Sequence, residues 1–318
     1  MPRRSNGVFM NIITVTLNPA FDVHCSIANF ALYHENLAEI TSRDAGGKGI
    51  NISRALTANG VDNLAFVVLG DENGDSFIRA LGEENIRFES ITVKGRIREN
   101  ITCHTEGVPE TRISFKGFDI DEKILDRAYE MLISRVDSDT IITFTGRVPD
   151  GLSMGSVKKF LQGFKGNGAK LVIDSRSFSL DDLKELKPWL IKPNQEEISE
   201  YLRKDVNGFD EIISAAKDLH DEGIENVMIS LGADGAMLVC DEGTFVAKPP
   251  KIDAVSTIGA GDSSIAGFIA AANSGECASS CLRHAVALGS AACLTEGTKP
   301  PRNGDISRIS PLVEINSI

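Results

Sequence analysis

The stretch from Thr257 to Asp262 combines small residues with a carboxylate, directly before an apolar segment that predicts a helix. Gly259 and Gly261 allow a tight turn and a close approach of the backbone to a ligand. The unpaired N–H groups and the dipole of a helix that starts near Asp262 favour an anion, above all phosphate. Because an aspartate repels phosphate, its presence here needs its own explanation.

Two interpretations of Asp262 are open. A carboxylate at a helix start often caps the first backbone N–H groups. In the alternative, Asp262 is a base that takes a proton from a substrate hydroxyl. The backbone amides of Gly259, Ala260 and Gly261 then hold a transferring phosphoryl group.

A second glycine-rich stretch, Gly46-Gly47-Lys48-Gly49-Ile50-Asn51, also precedes a predicted helix. Lys48 adds positive charge there, and Asn51 offers both a donor and an acceptor to sugar hydroxyls. The spacing matches neither a P-loop nor a dinucleotide-binding fingerprint. A turn that binds no ligand is the alternative.

Three further sets of polar residues follow or interrupt predicted strands. Asp22 comes after the apolar run at 12–17, where ligands of open α/β sheets collect, although it also suits a plain turn after Pro19. Arg98 and Arg112 flank a predicted hairpin and either are solvated or bind a phosphate through paired hydrogen bonds. Asn194 and Glu197 lie one helical turn apart, as a capping pair or as oxygen ligands that hold Mg²⁺ mostly through water.

Apolar, β-branched runs alternate with helical patterns along most of the chain. Strands are predicted at 12–17, 64–69, 140–144, 170–173, 189–192 and 226–231. This alternation predicts an α/β fold with a mostly parallel sheet and helices on both faces. Two short strands at 101–104 and 112–115, around a turn at 106–109, interrupt the rhythm and predict a small accessory sheet.

The composition is that of an ordinary globular enzyme, with 318 residues of which 42% are hydrophobic. The net charge of -12 argues against a general nucleic-acid or membrane-surface binder, so a phosphate substrate needs a locally positive pocket. Six scattered cysteines and no secretory signal favour reduced thiols and a cytoplasmic location. No apolar run is long enough to span a bilayer, and residues 1–9 are expected to be a disordered extension.

From Met10 onward the sequence resembles the ribokinase-like sugar kinases, the phosphofructokinase B family. Four elements in the family's order carry the resemblance: Thr16-Leu17-Asn18-Pro19-Ala20-Phe21-Asp22, Gly46-Gly47-Lys48-Gly49-Ile50-Asn51, Lys192-Pro193-Asn194-Gln195-Glu196-Glu197 and Thr257-Ile258-Gly259-Ala260-Gly261-Asp262. The resemblance implies one doubly wound kinase domain over residues 10–318. It also implies a small β-sheet lid with segments near 22–44 and 94–117. Lid strands in this fold can pair between two chains, so a homodimer through the lid is an expected assembly.

The resemblance also implies roles for individual residues. Asp262 matches the catalytic base, and Gly259, Ala260 and Gly261 match the anion hole. The residues implied for the sugar substrate are Asp22, Gly47, Lys48 and Asn51, with Arg98 and Arg112 for its phosphate. Those implied for the nucleotide are Lys192, Asn194, Ser230, Gly232, Gly235 and Gly261, and Asn194 and Glu197 are linked to Mg²⁺.

Leu17-Asn18-Pro19-Ala20 and the second glycine-rich stretch resemble the 1-phosphofructokinase and tagatose-6-phosphate kinase branch. The implied reaction is ATP- and Mg²⁺-dependent phosphorylation of a ketohexose monophosphate: fructose 1-phosphate first, then tagatose 6-phosphate or fructose 6-phosphate. Arg147 departs from the family, because relatives commonly have a small hydroxyl residue there. It either adds a contact to the sugar phosphate or changes the substrate preference. A kinase for an unphosphorylated sugar and a sugar-phosphate sensor without activity are the alternatives.

Overall fold

The computed structural model describes residues 11–206 and 208–318, so the expected extension at residues 1–9 lies outside it. The strands are β1 (Asn11–Thr16), β2 (Ala20–Ser26), β3 (Glu39–Gly46), β4 (Leu64–Gly70), β5 (Phe88–Val93), β6 (Arg98–Thr105), β7 (Val108–Ser114), β8 (Thr140–Thr145), β9 (Lys170–Asp174), β10 (Leu190–Ile191), β11 (Asn226–Ser230), β12 (Ala236–Cys240), β13 (Gly243–Lys248) and β14 (Glu314–Ser317). The α-helices are α1 (Lys48–Ala58), α2 (Gly74–Glu83), α3 (Glu122–Ile133), α4 (Met154–Gly166), α5 (Leu180–Leu186), α6 (Gln195–Leu202), α7 (Phe209–Asp221), α8 (Ala260–Asn273), α9 (Ala278–Ala292) and α10 (Asn303–Ile309).

Ten strands of the described chain form one large sheet in the order β14-β13-β12-β11-β10-β9-β8-β1-β4-β5. All pairs from β11 to β5 are parallel, whereas β12, β13 and β14 pair antiparallel at one edge. The expected doubly wound, mostly parallel sheet is confirmed. The chain order reverses between β1 and β8, and in such sheets the crevice beyond this reversal is where ligands bind.

Both faces of the large sheet are covered by apolar clusters. Ile13 and Val15 of β1 belong to one cluster, whereas Ile12 belongs to the other, as the alternation of side chains along a strand requires. One cluster gathers side chains from α2, α3, α4 and α7, and the other gathers α1, α8 and α9. The sheet is therefore a rigid base that holds its strand ends at fixed positions.

Two small-residue helices, α8 and α9, pack together closely on one face of the sheet. A Cβ atom added at Gly267 of α8 would lie only 2.5 Å from the carbonyl oxygen of His284 in α9. This close approach fixes α8, whose first turn carries the predicted catalytic motif. Neither of these helices nor any other in the described residues is long and apolar enough to cross a membrane.

A second sheet has four strands in the order β3-β2-β6-β7. Asp22 of β2 lies opposite Asn100 of β6, which in turn lies opposite Ser114 of β7. Paired residues on adjacent strands share one face of a sheet, so these three polar side chains share a face. The small accessory sheet expected from the sequence is confirmed, and it contains more of the chain than the predicted hairpin.

The hairpin between β6 and β7 differs in detail from the sequence prediction. Its turn was expected to cover residues 106–109, but Thr105 already pairs with Val108. Only Glu106 and Gly107 remain as the loop, and Gly107 has a φ of 73°. A positive φ at glycine permits such a two-residue connection, and the outer strand tolerates Pro109 because it lies at the edge of the sheet.

Candidate active site

The predicted catalytic motif lies at the start of α8, which begins at Ala260, so that Asp262 is in its first turn. Gly259 precedes the helix with a φ of 77°, a left-handed conformation that favours glycine. Gly259 is the residue at the N-cap of this helix and has no side chain that could cap it. Oδ2 of Asp262 accepts a hydrogen bond of 2.9 Å from Nδ2 of Asn51. The carboxylate is thus held across the site by α1.

The helix start also carries the expected anion-binding amides. The N–H of Ala260 donates to the carbonyl oxygen of Thr257 at 3.4 Å, a long bond that leaves it weakly engaged. A Cβ atom added at Gly261 would lie 3.2 Å from Nζ of Lys192, so this ammonium group lies against the turn. Backbone amides and an ammonium group together favour an anion at this point.

Asp262 is buried, with 7% of its surface exposed, and this burial raises its pKa to about 6. Lys48 lowers that pKa, Asp174 raises it, and the hydrogen bond from Asn51 lowers it. A carboxylate with this pKa is ionised near neutral pH and still binds a proton far better than an exposed one. It has the properties of a general base.

Two lysines meet a buried carboxylate beside Asp262. Nζ of Lys48 lies 2.8 Å from Oδ2 of Asp174, and Nζ of Lys192 lies 3.9 Å from its Oδ1. Burial raises the pKa of Asp174, but Lys192 and Lys48 together outweigh burial and hold it below its ordinary value. Burial lowers the pKa of Lys48, but the negative charges of Asp174 and Asp262 raise it by more. The pKa of Lys48 therefore lies above its ordinary value. The site therefore keeps two cations next to the anion-binding turn.

The predicted sugar-binding residues come from two elements that meet beneath the small sheet. Gly47 immediately precedes α1 and packs beside Thr16 at the end of β1, and Lys48 and Asn51 lie in the first turn of α1. Asp22 faces them from β2, since a Cβ atom at Gly46 would overlap its Oδ2. Burial raises the pKa of Asp22, and a 2.9 Å hydrogen bond from Asn100 lowers it.

Arg98 lies at the Asp22 side of the site, whereas the side chain of Arg147 is mostly exposed and lies 3.4 Å from Oδ1 of Asp150. Burial lowers the pKa of Arg98, and the charge of Arg147 lowers it further. One amino group of Arg98 donates to Oδ1 of Asn100 at 2.7 Å, while its buried Nε has no partner within the protein. Oδ1 of Asn18 is also buried without a partner. A guanidinium group with an unused donor is suited to bind an anion, and the charge of Arg147 is near enough to influence that of Arg98.

Arg112 occupies a different position from Arg98. It lies on β7 opposite Thr102, and the alternation along β6 places it on the sheet face that carries Asn100. Its side chain is half exposed and lies 3.4 Å from Oε2 of Glu110. Arg112 thus lies further along the small sheet than Arg98.

Asn194 and Glu197 form a reciprocal capping pair at the start of α6. The Glu197 N–H donates to Oδ1 of Asn194 at 2.8 Å, and the Asn194 N–H donates to Oε2 of Glu197 at 3.0 Å. Oε1 of Glu197 accepts a hydrogen bond of 2.9 Å from Arg176. Within the described residues no three His, Cys, Asp or Glu side chains are grouped as a metal site. The pair is suited to Mg²⁺ only where water and phosphate oxygens complete the coordination.

The predicted nucleotide loop follows β11 and lies next to Asn194, since Ser230 forms a β-bridge with Asn194. Gly232 begins a single turn of 3-10 helix, and Gly235 ends it. A Cβ atom at Gly235 would lie only 2.0 Å from the carbonyl oxygen of Ala247. Close packing against β13 is a sufficient reason for this glycine, whereas the nucleotide-binding roles of Ser230 and Gly232 stay predictions.

Four residues with contacts in the site had no predicted role: Asp174, Asn100, Arg54 and Arg176. Asp174 could have been found, because a carboxylate at the end of a predicted parallel strand lies at the ligand edge of the sheet. Arg54 gave no signal, since an arginine in a helix normally faces solvent.

The sequence pattern of the pfkB family carbohydrate kinases matches residues 25–303 of the chain. The chain is similar to the 1-phosphofructokinase of Escherichia coli, with 32% identity over 81% of this chain and 83% of the relative. It is 30% identical to the 1-phosphofructokinase of Haemophilus influenzae over 96% of both chains. Among solved structures, phosphofructokinase-2 of Escherichia coli in complex with potassium is similar, with a TM-score of 0.89 and 25% identity. This similarity covers 95% of this chain and 99% of that one.

Proposed function

Since this chain belongs to the pfkB family of carbohydrate kinases, we propose that it phosphorylates a ketohexose monophosphate. As a member of the family it is a phosphotransferase that uses ATP and acts on a sugar hydroxyl. Fructose 1-phosphate is the first substrate, with fructose 1,6-bisphosphate as the product, because the relatives from Escherichia coli and Haemophilus influenzae are named 1-phosphofructokinase.

The guanidinium groups of Arg98 and Arg147 are our reason for proposing a phosphorylated sugar as the acceptor. Arg98 is partly buried and its Nε is a buried donor without a partner, and such a group is costly unless an anion completes its hydrogen bonds. Asp22 lies nearby and is suited to sugar hydroxyls. Arg112, on the same face of the small sheet, is a further contact for the phosphate once its pairing with Glu110 is released.

In the proposed reaction Asp262 accepts the proton of the attacking sugar hydroxyl. The hydroxyl oxygen forms a bond to the γ-phosphorus of ATP, the bond from that phosphorus to the β–γ bridging oxygen breaks, and ADP leaves. The amides of Gly259–Gly261, with Lys48 and Lys192, offset the charge of the transferring group. Most of the acceleration comes from positioning and electrostatics.

Mg²⁺ is the cation we propose to accompany ATP, held through water near Asn194 and Glu197. When bound, it offsets negative charge on the phosphate oxygens. The proposal rests on the oxygen-rich capping pair beside the Ser230 loop.

We also propose a cytoplasmic location. The proposal is based on the six cysteines, which are all free thiols in this structure and suit a reducing compartment.

We also propose that the chain forms a homodimer through the small sheet. Large apolar side chains are exposed on that sheet and on the loop between β2 and β3: Leu32, Tyr33, Leu37, Ile40 and Ile113. Ile40 is on the edge strand β3, which follows this loop, and Ile113 is on the opposite edge strand β7. Exposed apolar groups are suited to a protein partner.

A panel of ketohexose 1- and 6-phosphates in an ADP-release assay tests the proposed substrate. We expect the highest kcat/KM with fructose 1-phosphate and a far lower value with fructose. Equal kcat/KM values for fructose and its phosphates would contradict the proposal.

The Asp262→Asn variant in the same assay tests the role of Asp262 as the base. Its kcat should fall by roughly 10²- to 10⁴-fold, while its affinity for the sugar phosphate, measured by calorimetry, changes little.

A further inference from the structure

Arg54 is a buried arginine on the helix that carries Lys48 and Asn51. Only 4% of its surface is exposed, and it lies in α1 among buried apolar residues. A buried cation is costly unless other groups pair with it and take its hydrogen bonds. Arg54 therefore needs hydrogen-bond and ion-pair partners within the protein.

The guanidinium of Arg54 binds three different elements. Nε donates to Oε2 of Glu84 at 2.5 Å, and one amino group donates to Oε1 of the same carboxylate at 3.1 Å. That amino group also donates to the carbonyl oxygen of Ala45. The other amino group donates to Oδ1 of Asn51 at 2.8 Å. A single side chain thus joins the end of α2, the end of β3 and the Asn51 amide.

The hydrogen bond from Arg54 decides which way the Asn51 amide points. Arginine can only donate, so it must face the carbonyl oxygen of the amide. The amide nitrogen is then directed to the other side, where Oδ2 of Asp262 lies 2.9 Å away. An amide free to turn over could present its oxygen to a protonated carboxyl and accept a hydrogen bond from it. Arg54 prevents this exchange.

We propose that Arg54 is a positioning residue for phosphoryl transfer, because it fixes the Asn51 amide so that this amide always donates to Asp262. Oδ2 of Asp262 is thereby held, and Oδ1 is left to receive the proton of the sugar hydroxyl. The inference rests on the proposed role of Asp262 as the base.

A donor that cannot become an acceptor stabilises the ionised carboxylate over the protonated one. This agrees with the effect of the Asn51 hydrogen bond, which lowers the pKa of Asp262. Other charged groups face the same carboxylate: Lys48 from α1, Asp174 from β9, and Lys192 after β10. Substitutions at Arg54 leave these three in place. The charge of Arg54 also lowers the pKa of Asp22, so Arg54→Lys, which keeps this charge, is the variant that isolates the effect of the amide.

The first test is the pH dependence of kcat/KM in Arg54→Lys, which keeps the charge but cannot form the same set of hydrogen bonds. We expect the acidic limb of the profile to move to higher pH by about one unit, so that activity at low pH falls about tenfold and recovers at high pH. The matched control is Arg135→Lys, an exposed arginine paired with Glu89, which should keep the profile of the parent enzyme.

A double-substitution cycle tests whether Arg54 acts through Asn51. Asn51→Ala alone should move the acidic limb upward, and adding Arg54→Lys should move it no further, because the two residues act in one chain of contacts. Independent shifts that add together would overturn the proposal.

Chemical rescue provides a second test, which also separates positioning from folding. A cavity of about 500 Å³ is bordered by Arg54, Glu84 and Asp44, so a small cation can reach the space that Arg54→Ala leaves. Millimolar guanidinium chloride should return the acidic limb of this variant towards that of the parent, and sodium chloride should not. If Arg54→Ala does not fold, Glu84→Gln replaces it and should shift the limb in the same direction by a smaller amount.

The two proposals fail in different ways. An inactive parent enzyme, or an Asp262→Asn variant that keeps its turnover, would overturn the proposed function. An active parent with an inactive Asp262→Asn variant, combined with an unchanged acidic limb in folded Arg54→Lys, would overturn the role of Arg54 alone.

Discussion

At the scale of single residues, the Asp262 carboxylate must meet two conflicting conditions. As the proposed base it must be ionised to accept a proton, yet its burial favours the protonated form and raises its pKa to about 6. We expect kcat/KM to rise with pH through about 6, because only the ionised carboxylate can act as the base. A pH profile of ADP release checks this, and a profile that is flat from pH 5 to 7 would contradict it.

The same burial predicts an effect of Asp262 on stability. Because the pKa is raised on folding from 3.8 to about 6, the folded state loses stability as pH rises through this interval, and the loss is complete and constant above it. We expect Asp262→Asn to increase the free energy of unfolding at pH 8 by on the order of 2 kcal/mol, with little gain at pH 4. Urea unfolding at the two pH values measures the difference. An equal change at both would show that ionisation is not its cause.

Arg98 is expected to act on substrate binding. Loss of its charged hydrogen bonds in Arg98→Ala should raise the KM for the sugar phosphate roughly 10- to 100-fold. Activity on the corresponding unphosphorylated sugar should change much less. Arg112→Ala is the comparison, and a smaller effect is expected because this side chain is half exposed and paired with Glu110. An unchanged KM in Arg98→Ala would favour an unphosphorylated substrate.

The sequence indicated most of the site residues that lie in motifs, such as Lys48, Asn51 and Asp262. It could not indicate Asp174 as the partner of Lys48, because the two are separated by 126 positions along the chain. Arg54 likewise became a candidate only when its contacts with Glu84 and Ala45 were known. Contacts between distant segments depend on packing, which local spacing does not contain.

At the scale of secondary-structure elements, the close packing of α8 against α9 positions the first turn of α8. Gly267→Ala would place a methyl group 2.5 Å from a carbonyl oxygen, so we expect a loss of about 1–3 kcal/mol in the free energy of unfolding. Gly82→Ala is the matched control in α2, where nothing lies within 4 Å of the added Cβ. It should stabilise by about 0.5–1 kcal/mol, because alanine favours a helix more than glycine does. Urea unfolding compares the two.

Element boundaries were less predictable than the elements themselves. The apolar run at 189–192 predicted a strand, but β10 contains only Leu190 and Ile191. Lys192 turns instead towards Asp174, and Pro193 lacks the N–H that a sheet ladder needs. Pairing with β6 places β2 in the second sheet, and no local pattern predicted this pairing.

At the scale of the whole molecule, the exposed apolar groups on the small sheet predict self-association. We expect light scattering to give the mass of a dimer, and Ile40→Glu to shift the mass towards that of a monomer, because a buried unpaired charge is costly. Ile78→Glu is a control, since Ile78 is also partly exposed but lies on α2. A monomeric parent protein would contradict the proposed interface.

The overall architecture was predictable because it follows from a repeated pattern. Alternating strands and helices leave few topologies once crossovers must be right-handed. At the antiparallel edge, the sequence predicts the hairpin of β12 and β13 from two short apolar runs around residues 241–243, but it does not predict β14. β14 is short and mostly exposed, so its sequence lacks the apolar run that marks the inner strands.

The strand order has a consequence for the synthesis of the chain on the ribosome. β1 is the first described strand to emerge, yet it lies between β4 and β8, and its second edge is covered only by residues 140–145. Until these appear, a nascent β5-β4-β1 unit presents unpaired backbone groups along β1, which can bind other chains. We expect ribosome-bound chains that stop before β8 to be more protease-sensitive and more prone to aggregate than chains that include it. Equal protease resistance of the two nascent chains would contradict this order of assembly.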